Sequence, residues 1–194
     1  MITEKQRPWI ELGYQSFAYE GPQGLKVERL ADGVEKNKSS FYHFFADLEV
    51  FTHHLLRYHL AQADIIAVQE AQCTTIEDFI DVLISHKIDL LFNRQLRVHR
   101  ENPDFAEVFC KTNEVTGQAI ASVWPRLIGL DQHHHLAGLV LKHSIENFYF
   151  QITDETLNRS WLRQYFDDLL LLVREFKKTG AVPAALDRGS TPLT

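Results

Sequence analysis

Ten residues from Lys36 to Phe45, reading Lys-Asn-Lys-Ser-Ser-Phe-Tyr-His-Phe-Phe, crowd basic, hydroxyl and aromatic groups into a stretch too short for a core helix. Asn37 is a good N-cap, because its side-chain oxygen can accept from a free backbone N–H one turn on. Phe41 and Phe45 then fall four residues apart on one inward face. Lys38, Ser39, Tyr42 and His43 point away from that face, and Ser40 lies near the helix start. All of these can donate hydrogen bonds to phosphate oxygens or base edges. By their chemistry Lys38 and Tyr42 suit phosphate, the two serines suit phosphate or base edges, and His43 suits either. The stretch reads as the second helix of a helix-turn-helix, with a surface suited to DNA.

Other constellations carry less. His133, His134 and His135 invite a metal, with His143 and Glu146 nearby, but consecutive histidines on a helix point about 100° apart, whereas dedicated sites use i, i+4 pairs. The triplet reads as a polar loop capping a helix, and no metal or cofactor is expected. The sequence contains no Gly-x-Ser-x-Gly elbow, phosphate loop or His-Glu-x-x-His, and Glu77, Asp78 and Asp81 sit on what reads as a solvated helix face, so no enzyme is expected. A possible small-molecule site is drawn by polar residues on apolar stripes. These are His86 beside Phe79, Leu83 and Leu90; Thr112 and Thr116 beside Phe105 and Phe109; and His143 and Asn147 between Val140 and Phe150. Each is either satisfied by a neighbour or left for a ligand. With Phe92 and Trp124 as walls they describe an apolar cavity with few polar handles.

The elements that position these residues read as helices throughout. Pro8 to Glu20 places Ile10, Tyr14, Phe17 and Ala18 on one face, with Gly21 to end it. Lys26 to Gly33 does the same with Val27, Leu30, Ala31 and Val34. These two and the opening stretch form a small three-helix bundle over residues 1–46, because none has enough apolar surface to stand alone. Asp47 caps a long helix to about Gln72, with Phe51, Leu55 and Tyr58 on one side. Thr75 and Asp78 form a capping-box-like pair ahead of Ile76, Phe79, Ile80 and Leu83, a run continued by Leu90 and Leu91. Asn102-Pro103-Asp104 opens a helix carrying Phe105, Val108, Phe109 and Ile120, which Pro125 either kinks or divides. Leu136–Ile152 and Thr156–Lys178 are the last helices. The final one is apolar over most of its circumference, which predicts a partner and points to a dimer. Lys177, Lys178 and Gly180 stop it, and residues 181–194 read as a loose tail. The expected architecture is all-α: the helix-turn-helix domain, then a larger helical domain over 47–180.

Composition limits the function classes. A net charge of −6 argues against a generic polyanion binder. From Lys26 to His43 four basic residues (Lys26, Arg29, Lys36, Lys38) stand against three acidic ones (Glu28, Asp32, Glu35), so local geometry must carry any DNA affinity. No apolar run approaches the roughly 18 residues of a membrane span and the first residues lack the apolar stretch of a signal peptide, which predicts a cytoplasmic protein without a membrane partner. Cys73 and Cys110 read as reduced structural residues.

Three segments resemble the DNA-binding domain of the tetracycline-repressor (TetR) family of transcriptional regulators. They are Phe17-Ala18-Tyr19-Glu20-Gly21, then Val27 with Leu30-Ala31, then Lys38-Ser39-Ser40-Phe41-Tyr42-His43-Phe44-Phe45. The resemblance runs without gaps from Trp9 to about Phe51, roughly a quarter of the chain. Glu35 stands where the family usually has Gly, which costs energy if φ there is positive, and Lys36 replaces the following Val. Leu48 stands where the family often has a phosphate-contacting Lys, while Lys26 replaces a Thr and can supply another contact. The resemblance implies a homodimer formed by the last two helices and a palindromic double-stranded operator. It also implies a small-molecule effector bound in the helical body that releases DNA, and most often repression. Two alternatives stand beside it: a helical sensing or interaction protein with degenerate DNA binding, and a small metal-binding helical protein.

Overall fold

The computed structural model describes residues 2–178, and among them every regular element is helical. The described residues are all-α, as the periodicities predict; the tail expected over 181–194 and the stop at Gly180 lie outside them. The described residues divide into two compact units, one drawn from residues up to Val68 with His86–Gly117, the other from Gln69–Ser85 with Gln118 onward. The boundary drawn after residue 46 falls inside the first unit.

The first unit begins with α1 (Arg7–Glu20), α2 (Val27–Gly33) and α3 (Lys38–Phe45). Gly21 ends α1 with φ +70, and a Cβ there would meet His99 Nε2 at 2.8 Å, so both backbone and packing call for glycine. Asn37 caps α3 as expected, its Oδ1 accepting the Ser40 N–H at 2.9 Å. Helix α4 (Leu48–Glu70) follows, with Asp47 Oδ1 accepting the Val50 N–H. Trp9, Phe17, Phe41, Phe45, Phe51 and Leu55 are buried to 2% exposure or less and form an aromatic core. Trp9 meets Phe41 edge-on at 5.5 Å, and Phe41 meets Phe51 at 5.2 Å. The unit is completed by α6 (Lys87–Val98) and the first part of α7 (Pro103–Leu127). Asn102 caps α7, accepting from Asp104 and Phe105 N–H.

The second unit holds α5 (Ile76–Ser85), the end of α7, α8 (His134–Gln151) and α9 (Arg159–Lys178). The capping pair of α5 is reciprocal: Thr75 N–H donates to Asp78 Oδ2 at 2.9 Å and Asp78 N–H to Thr75 Oγ1 at 3.1 Å. Bonds from the Thr74 hydroxyl and backbone N–H, followed by those from Thr75, hold the Asp78 carboxyl down at about 2. Phe79 packs on Trp124 and Phe166, and Leu162 and Val173 complete the buried face of α9. Arg163 forks onto Glu77 with two 3.0 Å bonds, and α9 exposes further charge at Asp167, Asp168 and Arg174, so it is more amphipathic than its sequence suggests.

Several element boundaries differ from expectation for local reasons. The run from Ile76 to Leu91 is two helices, because Ser85 Oγ turns back onto Val82 O and the His86 ring engages Asp89, both competing with a continuous helix. Pro125 neither splits nor ends α7 at once; it sits in the last turn, and Leu130 N–H reaches Pro125 O. Helix α9 starts at Arg159 rather than Thr156, because Thr153 and Thr156 exchange N–H to Oγ1 bonds in a turn and Asn158 supplies the cap to Trp161 N–H. Helix α8 starts at His134, so His134 and His135 lie in its first turn and His133 takes the N-cap position.

Candidate nucleic-acid interface and candidate ligand residues

Helix α2 ends in a tight reversal. Glu35 adopts φ 56, Glu35 N–H donates to Asp32 O at 3.1 Å, and Lys36 N–H to Ala31 O at 2.9 Å. This is the left-handed cap in which glycine is usual, here borne by Glu35 at a cost of about 1 kcal/mol. The chain then enters α3, whose Phe41 and Phe45 are fully buried while Lys36, Lys38, Ser39, Tyr42 and His43 are exposed. Tyr42 retains 53% exposure although tyrosine in a monomer usually buries its ring. Lys26 is exposed at the N-cap of α2.

Two of the predicted contact residues are already engaged. Lys38 Nζ donates to Glu28 Oε1 at 2.6 Å, and that carboxylate holds the ammonium above its ordinary range. Ser40 is half-buried and its Oγ donates to Asn37 Oδ1 at 2.8 Å, so its hydroxyl serves the cap. Arg29, a further basic residue on α2, donates to Glu20 at 2.6 Å. The face therefore offers donors on α3 within a nearly balanced set of charges.

The candidate ligand residues fall in both units. In the first, His86 is half-buried at the start of α6, with Nδ1 3.0 Å from Asp89 Oδ2. Phe92 is fully buried, stacked on Tyr14 at 4.3 Å and flanked by Phe17 and His59. Phe109 is half-buried on α7, Thr116 Oγ1 donates to Thr112 O, and Thr112 Oγ1 is buried without a partner. In the second unit, Trp124 is buried against Phe79 with its Nε1–H unpartnered. His143 and Asn147 are exposed rather than core residues, because α8 turns Ala137, Leu141 and Phe148 inward and leaves i, i+4 positions 143 and 147 on the outer face. There they line an open groove of ≈ 650 Å³ between α8 and α9, with Leu139, Leu172 and Phe176 along its apolar walls and Tyr165 and Trp161 at its floor. Tyr165 donates to Ser144 O, and burial pushes its phenol up to about 12. Among the described residues no group of three or more His, Cys, Asp or Glu is placed to hold a metal, and His134 and His135 are solvated.

Two features escaped sequence reasoning. Tyr14 on α1, His59 on α4 and Asp89 and Asn93 on α6 form a buried polar cluster, with Tyr14 Oη 2.6 Å from His59 Nδ1 and 2.7 Å from Asp89 Oδ1. Burial pushes His59 down to about 4, against weaker upward pulls from Asn93 and Asp89. The i, i+4 pair Asp89 and Asn93 on an otherwise apolar face was the available signal. The other is Glu70, 5% exposed with Oε2 unpartnered, whose carboxyl burial raises to about 8. Compared with known protein families, curated proteins and solved structures, the chain matches none of them. No helix among the described residues is long and apolar enough to cross a membrane.

Proposed function

We propose that this chain is a TetR-like DNA-binding transcriptional regulator, a repressor, that binds a palindromic operator as a homodimer and is released by a small, mostly apolar effector. The observation that carries the reading is the outer face of α3. It is a short capped helix anchored by two fully buried phenylalanines, with Lys38, Ser39, Tyr42 and His43 all directed to solvent. Lys36 and Lys26 flank it at the turn and at the head of α2. Lys38 exchanges Glu28 for a phosphate on binding, a swap between two solvated anions that costs little. Dimerisation is supported by the apolar groove of α8 and α9, where Leu139, Leu172 and Phe176 are more than two-fifths exposed. A two-fold dimer presents two α3 helices to successive major grooves, about 34 Å apart, and an effector that favours another spacing lowers affinity.

The test is selection of bound duplexes from a random DNA pool at moderate salt. Enrichment of an inverted repeat is expected, with Tyr42→Ala weakening binding about equally on all sequences, as a phosphate contact does. Absence of any enriched sequence would overturn the reading and favour a sensing or interaction protein. That second reading draws its support from Glu35 in the turn, Leu48 at the start of α4 and the Lys38–Glu28 pair.

A further inference from the structure

The groove between α8 and α9 carries two stripes of nearly the same spacing. On α8, Leu139, His143, Asn147 and Phe150 fall at i, i+4, i+8 and i+11; on α9, Trp161, Tyr165, Asp168 and Leu172 fall at i, i+4, i+7 and i+11. All but Phe150 line the groove, and Phe150, at 83% exposure, continues the α8 stripe beyond Asn147. The two helices run antiparallel in a register fixed by side chains: Tyr165 Oη donates to Ser144 O at 2.7 Å, and Phe148 meets Trp161 at 5.9 Å. On that register Leu139 stands near the level of Leu172, His143 near Asp168, and Phe150 near Trp161. Among the described residues that line the groove, Asp168 is the one carboxylate and His143 the one base. Both sit at the middle of their rows, which run over 136–151 and 161–176.

A face that binds its own copy must be complementary to itself. A two-fold axis lying in this face can run across the helices or along them. Across them, α8 meets the partner's α8 and α9 the partner's α9, which brings Asp168 against its own copy at the centre of a closed seam, where two carboxylates are costly. Along them, α8 lies on the partner's α9 with every level kept. Leu139 then covers the partner's Leu172, Phe150 covers the partner's Trp161, and His143 meets the partner's Asp168. We propose that a second copy of this chain covers the groove in this second way, and that the pair between His143 of one protomer and Asp168 of the other sets the register. An imidazole carries an N–H in either protonation state, and the Asp168 carboxylate is oriented by Gln164 Nε2 at 2.8 Å. The apolar ends of the stripes supply most of the buried area but tolerate sliding; a polar pair in an apolar seam does not. This inference rests on the homodimer proposed above and adds how its two copies are matched.

The test uses the whole chain, with sedimentation and native mass spectrometry as readouts. His143→Glu sets carboxylate against carboxylate, and Asp168→Lys sets ammonium against imidazole. Each alone is expected to raise the dimer dissociation constant about a hundredfold, with helical circular dichroism unchanged. Mixing the two variants restores both contacts, Glu on Lys and His143 on Asp168, so a one-to-one heterodimer about as stable as the parent homodimer is expected. Variants that each dimerise like the parent overturn the proposal, and so do two monomeric variants that stay apart when mixed. A heterodimer far tighter than the parent also overturns it, because that result means like helices face each other. A parent that is monomeric at every concentration, its groove left to a small molecule or another protein, overturns the homodimer itself and this inference with it.

Discussion

Glu70 should make this protein lose stability as pH rises from 5 to 8, and Glu70→Gln should remove that loss. The carboxyl lies at the end of α4, 5% exposed, with Oε2 buried and unpartnered, and burial moves it from 4.5 to about 8. The folded state thus holds a proton that the unfolded chain releases at about 4.5. Its stabilising share is fully present below that value and is lost as pH climbs through 8. At about 1.4 kcal/mol per pH unit, the two and a half units between 4.5 and 7 amount to roughly 3 kcal/mol. Glutamine keeps the shape of the neutral acid and cannot ionise, so variant and parent should match near pH 4.5 and diverge above it. For a chain of this size roughly 3 kcal/mol corresponds to a Tm higher by about 6–12 °C at pH 7. Urea denaturation of both proteins at half-unit steps from pH 4.5 to 8 measures the difference directly, and other titrating groups cancel in it. Parallel curves would refute the reasoning, because they would mean that the Glu70 carboxylate finds water or a cation in the folded state.

Glu28→Gln should tighten operator binding roughly two- to fivefold at low salt, since it releases Lys38 from an exposed pair, and titration by fluorescence anisotropy at two salt concentrations would show the gain shrinking as salt rises. Glu35→Gly should stabilise the fold by up to about 1 kcal/mol in denaturant melts, because φ 56 is strained for glutamate; a loss of stability would show that the unfolded-state entropy of glycine outweighs the strain. Leu172→Glu, on the exposed wall of the α8–α9 groove, should shift sedimentation from dimer to monomer while leaving the helical circular dichroism unchanged. A dimer that survives this change would place the contact elsewhere.

What was legible in the sequence is what neighbours in sequence decide. The cap of α3 by Asn37, the reciprocal Thr75 and Asp78 pair and the Asn102-Pro103 start of α7 each involve residues within one turn, and each forms as read. The inward pairing of Phe41 with Phe45 follows from helical spacing alone. The break at His86 was not legible, because apolar spacing continues through it while the Ser85 hydroxyl and the His86 ring turn to local partners. Likewise His143 and Asn147 sit at spacings compatible with either face of α8, and packing rather than periodicity turns them outward.

The partners that lie far apart in sequence are of the illegible kind. Lys38 meets a carboxylate ten positions earlier, and Tyr14 meets groups 45 and 75 positions later, so neither neutralisation nor network can be read from a window along the chain. The sequence suggests donors on α3 free to meet phosphate; the structure puts one of them, Lys38, in an ion pair with Glu28. It also ties the helix that buttresses α3 to a polar cluster inside the first unit, through Trp9 on Phe41 at one end of α1 and Tyr14 on Asp89 farther along. The exposed face of α3 and the buried polar cluster thus both touch α1, and the face rests on one aromatic core. A change that moved α1 at Tyr14 would reach Phe41 only by way of close-packed rings, which interlock or part rather than deform by degrees.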